Sequence, residues 1–77
     1  MTKLKAMRER KGLSQSQLAE KAGVSIRALQ YYEQGRLNFD GSKIDRIFAI
    51  ALALSCDIED IIEDPKIVKM IRAYQDA

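Results

Sequence analysis

Apolar residues recur at intervals of three and four along almost the whole chain, and no stretch alternates at the period of two that a strand would show. The breaks in this pattern fall at Gly12, Gly23, Gly35, Gly41 and Pro65, the five positions least suited to continuing a helix. The pattern predicts a first helix over residues 3–11, capped by Thr2, with Leu4 and Met7 inward and Gly12 as its stop. A second spans 15–22, capped by Ser14, with Leu18, Ala19 and Ala22 inward. After a tight break at Gly23-Val24, Ser25 caps a third helix over 26–34, whose inward stripe is Leu29 and Tyr32.

Residues 36–42 form a polar loop pinned by Leu37 or Phe39. Ser42 is expected to cap a fourth helix running through Leu54, with Ile47, Ile50, Ala51 and Leu54 buried. Asp57 is expected to cap a fifth over 58–63, and Asp64-Pro65 to start a last helix over 66–75. That last helix presents Ile67, Met70, Ile71 and Tyr74 on one side. Two uses of the stripe fit a helix too short to stand alone in water: packing across a two-fold axis, or folding back over Ile58 and Ile62. The expected fold is all-α, a bundle of five helices over residues 1–63 followed by a short C-terminal helix over 64–77.

Composition narrows the class. Seventy-seven residues make one domain. A single cysteine, Cys56, cannot form an internal disulfide, and the absence of histidine leaves too few ligands for a structural zinc site. No metal or cofactor is expected. The amino terminus mixes charge and apolarity too quickly for a signal peptide, and the longest apolar run, 47–54, falls far short of the ~20 residues that span a bilayer. The expected location is therefore cytoplasmic, with the nucleoid, and no membrane partner is expected.

The net charge of +2 says little, but its distribution says more. Residues 1–36 carry eight basic side chains against three acidic ones, and residues 37–77 carry five against eight. A basic half joined to an acidic half suits one face for a polyanion and another for something else, although a solvated surface with accidental asymmetry has the same signature.

The informative segment is 15–34, where Ala19 and Gly23 fall where two helices crossing through a short turn need a small side chain and a positive φ. Leu13-Ser-Gln-Ser-Gln-Leu-Ala19, Gly23-Val-Ser25 and Tyr32-Glu-Gln-Gly35 resemble the successive motifs of the phage repressor and Cro family of helix-turn-helix proteins, also called the xenobiotic-response-element type. Residues 47–54 and 56–62 resemble that family's apolar tail, so the likeness covers about residues 3–63. It implies a five-helix repressor-like bundle and duplex DNA as the partner.

Carried over position by position, the resemblance lays the third helix in the major groove with Ser25, Ile26, Arg27, Gln30, Tyr31 and Gln34 toward base edges. Arg27 is suited to a bidentate contact with guanine, or else to a phosphate or solvent; Tyr31 suits either groove contact or surface packing. Phosphate contacts fall to Ser14, Gln15 and Ser16 at the start of the second helix, to Arg36 and Asn38 after the third, and to Arg8, which matches an arginine paired with a glutamate, here Glu33. Many relatives carry polar groups where this chain has Ile26 and Ala28, so direct readout rests mainly on Arg27.

No catalytic residues are proposed: the chain has no nucleophile–base pair and no glycine-rich phosphate loop. The acidic cluster Asp57, Glu59, Asp60, Glu63 and Asp64 reads as caps and solvated helix faces rather than a cation site. The expected function is that of a transcriptional regulator, most simply a repressor, binding a two-fold operator as a homodimer. The alternative is an interaction module, such as an antitoxin whose acidic half neutralises a basic toxin partner.

Overall fold

Thr2, Ser14 and Ser25 each accept a hydrogen bond on the side-chain oxygen from the backbone N–H three residues on, at 3.1, 3.0 and 3.0 Å, and each opens a helix. Such a cap contributes ~1 kcal/mol by satisfying a donor that the helix leaves free. In the computed structural model, which describes residues 1–76, the helices are α1 (Lys3–Arg10), α2 (Gln15–Ala22), α3 (Ile26–Glu33), α4 (Ile44–Leu54) and α5 (Pro65–Asp76). The fold is all-helical, with no strand among the described residues.

The first three helices match the sequence expectation to within a residue at each end. Gly23, at φ 70°, ends α2 in the left-handed conformation and turns the chain sharply into α3. α2 packs on α3 and α4, while α1 touches α3 and the turn beyond α4. Leu4, Leu18, Leu29, Ile47, Ile50 and Leu54 are fully buried where these helices converge, and Ala19 is buried beside them.

Two expectations are corrected. Ser42 does not cap α4: its hydroxyl donates back to the carbonyl of Phe39, closing the loop turn. The cap position falls to Lys43, which makes no side-chain capping bond. The expected fifth helix shrinks to a single 3-10 turn, Ile58–Asp60. Its continuation is diverted because both oxygens of Asp40 accept the N–H groups of Glu63 and Asp64, at 3.0 and 2.9 Å. Asp64 also precedes a proline, a position that disfavours helix. The bundle therefore has five α-helices in all, the last being the C-terminal one.

Of the two candidate pins, Phe39 is buried, standing edge-on to Tyr32 with ring centroids 5.2 Å apart, whereas Leu37 is exposed. The α5 stripe divides. Ile71 is buried and Ile67 half-buried, joined by the half-buried Val68, and all three pack on the chain's own core. Met70 and Tyr74 lie outside, 67% and 79% exposed.

Candidate nucleic-acid interface

α3 buries Leu29, Tyr32 and Glu33 and turns the opposite side outward. That outer side carries Arg27 and Gln34, both exposed, flanked by the half-buried Gln30 and Tyr31. Ser25 and Ile26 lie exposed at its start. All six residues assigned to base reading are thus reachable from solvent. Ala28 is half-buried and packs toward the core, so it offers less of a groove contact than its position suggests.

The six residues assigned to phosphate contact are less uniform. Ser14 and Gln17 form a reciprocal capping box: Ser14 Oγ accepts from the N–H of Gln17, and Gln17 Oε1 accepts from the N–H of Ser14 at 2.8 Å. The N–H groups of Gln15 and Ser16 have no partner among the described residues, and they stand at the positive end of the α2 dipole. An anion could be held there. Asn38 is turned into its own loop, its side chain lying over Gly41.

Arg8 is the buried member of the set. Its Nε and Nη2 donate to the two carboxylate oxygens of Glu33 at 2.7 and 3.0 Å, and its Nη1 donates to the carbonyl of Leu13 at 2.8 Å. The hydrogen bond to Glu33, opposed by desolvation and reinforced by the charge of Glu33, raises the guanidinium pKa above its ordinary value. All three nitrogens are engaged within the fold. Arg8 is thereby held in place between α1, α3 and the Leu13 carbonyl, and these three bonds leave one N–H on each of Nη1 and Nη2 uncommitted.

The same carboxylate organises the reading surface. Gln15 Nε2 donates to Glu33 Oε1 at 3.0 Å, and Gln30 Nε2 donates to Gln15 Oε1 at 3.4 Å. One chain of hydrogen bonds thus runs from α1 through α3 to α2 and back to the outer side of α3. It fixes which end of the Gln15 carboxamide points inward, leaving one amide hydrogen free for an external acceptor. The sequence pointed to the Arg8–Glu33 pair through resemblance, but nothing in it tied Gln30 to Gln15.

Two further relationships were not legible beforehand. The Arg36 guanidinium sits 5.8 Å from the centroid of the Tyr31 ring, so a residue assigned to phosphate and one assigned to bases support each other. Arg46 donates to the Tyr32 hydroxyl at 3.1 Å, and with Lys43 it borders the Ala22–Gly23–Val24 turn. Two cations from the acidic half of the chain therefore join the edge of the helix-turn-helix unit. Only their basic character could have signalled this, since they lie beyond the motif.

The described residues hold no group of three or more carboxylate, thiol or imidazole side chains placed to bind a metal. No described helix is long and apolar enough to cross a membrane. Cys56 is half-buried, its thiol pKa pushed up by burial and then by Asp60, as suits a packed rather than a reactive sulfur. Among models of known protein families, one described as a helix-turn-helix domain matches residues 2–55. No curated protein and no solved structure matches the chain.

Proposed function

The chain belongs to the helix-turn-helix domain family, and from that premise we propose that it is a sequence-specific transcriptional regulator, a repressor, that inserts α3 into the major groove of duplex DNA as a homodimer. The observation that carries this reading is the outer side of α3. Arg27, Gln30, Tyr31 and Gln34 share it, and it is tied by Gln30 and Gln15 to the anion-favouring start of α2. Major-groove reading needs that combination: hydrogen-bonding side chains for base edges, and adjacent N–H groups and cations that fix register on the backbone. Arg27 can donate two parallel hydrogen bonds to guanine O6 and N7.

A single helix of eight residues offers few base contacts, and Ile26 and Ala28 offer none of the hydrogen-bonding kind. Two copies reading half-sites about one helical turn, ~34 Å, apart supply the missing affinity. The regulator acts by occupying DNA, with no catalytic step of its own. Selection of bound duplexes from a random pool tests the reading. The expected result is an enriched consensus with two related half-sites, and a pool that stays random would contradict it.

A further inference from the structure

Ile26 is 42% exposed, and among the exposed large apolar side chains of the described residues it alone belongs to α3. It takes no part in the core, whereas Val24 and Ala28, two residues to either side, both pack there. The fold therefore sets a bare hydrocarbon at the first position of α3, between the exposed Ser25 and Arg27. Helical side chains lean toward the N-terminus of their helix, and that is the end of a reading helix that meets base edges. Ile26 stands one turn ahead of Gln30 on the same flank, and Gln30 is held in place by its bond to Gln15 at 3.4 Å.

We propose that Ile26 reads a methyl group: it selects a pyrimidine methylated at C5, thymine or C5-methylcytosine, close to the guanine taken by Arg27. This rests on the DNA-binding reading above and names the base chemistry that its apolar position selects. The polar groups on the major-groove edges of the bases are hydrogen-bond donors and acceptors. Thymine alone adds a methyl group, and methylation at C5 gives cytosine the same one. Ile26 can neither donate nor accept, so an edge of donors and acceptors beneath it would lose water and gain no partner. A methyl group beneath it loses only water that both surfaces are better without. Branching at Cβ leaves isoleucine one strongly preferred χ1 rotamer in a helix, so the contact orders little that is not ordered already. Arg27, the next residue, supplies the hydrogen bonds that Ile26 cannot.

Analogues placed in the DNA test this without disturbing the protein, since uracil lacks only the methyl group of thymine. In the duplex selected from a random pool, each thymine is replaced in turn by uracil and each cytosine by C5-methylcytosine. Affinity is measured at one salt concentration for the intact chain and for Ile26→Ala. One thymine per half-site is expected to matter: uracil there should weaken the intact chain about fourfold, the equivalent of burying one methyl group. Ile26→Ala should keep its melting temperature, because the side chain lies outside the core, and should bind the thymine and uracil duplexes alike. A methyl gain found at a cytosine instead, or at both, identifies which pyrimidine carries the group in the site. No methyl gain at any position, or a gain of the same size in Ile26→Ala, would overturn the proposal. A duplex bound with a clear consensus but indifferent to methyl groups leaves the regulator reading standing, whereas a pool that stays random overturns both.

Discussion

Arg8 and Glu33 lie on different helices and meet as a two-pronged pair, with both carboxylate oxygens accepting from one guanidinium, at 2.7 and 3.0 Å. Both residues are buried. Because Glu33 also holds Gln15, and Gln15 accepts from Gln30, this pair is the internal anchor of the surface assigned to DNA.

Buried pairs add little net stability, since desolvation offsets attraction, but leaving one partner alone is costly. Arg8→Ala should lower stability in urea by about 3–5 kcal/mol, and Arg8→Met combined with Glu33→Leu should recover most of it. Loss of less than about 1 kcal/mol in the single variant would mean the pair is idle. The pH dependence has a definite sign. A cation whose folded pKa is raised stabilises the fold at every pH below its unfolded value, and the gain is lost only as pH rises through the folded one. For arginine that window is strongly alkaline, so the difference between wild type and Arg8→Ala should not change because of Arg8 titration between about pH 5 and pH 9.

Ala19 sits buried where α2 crosses its neighbours. Ala19→Glu forces a charged chain into that crossing, with an expected loss of about 2–5 kcal/mol measured by thermal melt. An unchanged melting temperature would show that the backbones do not approach there.

The C-terminal helix stabilises its own monomer through Ile67, Val68 and Ile71. Truncation after Asp64 exposes the surface they cover and should cost about 2–4 kcal/mol, given ~1.5–3 kcal/mol for each fully buried aliphatic side chain. A truncated chain as stable as the intact one would mean that α5 only rests on the core.

Where local chemistry decides the structure, the sequence was readable. Thr2, Ser14 and Ser25 announce three helices because each cap bonds a donor three residues away, and Gly23 announces the turn because few other residues accept its φ. Reading failed where a distant partner decides. Ser42 looks like a cap, but Phe39 claims its hydroxyl; residues 58–63 look helical, but Asp40, more than twenty positions earlier, takes the N–H groups that would extend the turn. The same holds for the interface. Its outward residues follow from the periodicity of α3, whereas the Gln15–Gln30 and Arg46–Tyr32 bonds depend on how helices are juxtaposed. Phe48 and Leu52, which α4 does not bury, were hidden inside the unbroken apolar run of residues 47–54, where core-facing and outward residues look alike.

Arg36 is exposed and held over Tyr31. If it meets a phosphate, Arg36→Ala should weaken binding to all duplexes about equally. It should also make the slope of log affinity against log salt shallower by ~0.9, the counterion release of one phosphate. A loss confined to one sequence would make Arg36 a base reader instead.

The proposed reading of bases by α3 runs through Arg27. The direct measurement is the affinity of wild type and of Arg27→Ala for the selected duplex and for a scrambled one, at a single salt concentration. Base reading by Arg27 predicts a loss of ~1–3 kcal/mol on the selected duplex, a small loss on the scrambled one, and relaxed preference at a single base pair per half-site. Equal losses on both duplexes, or no preference by the wild type for the selected one, would contradict it.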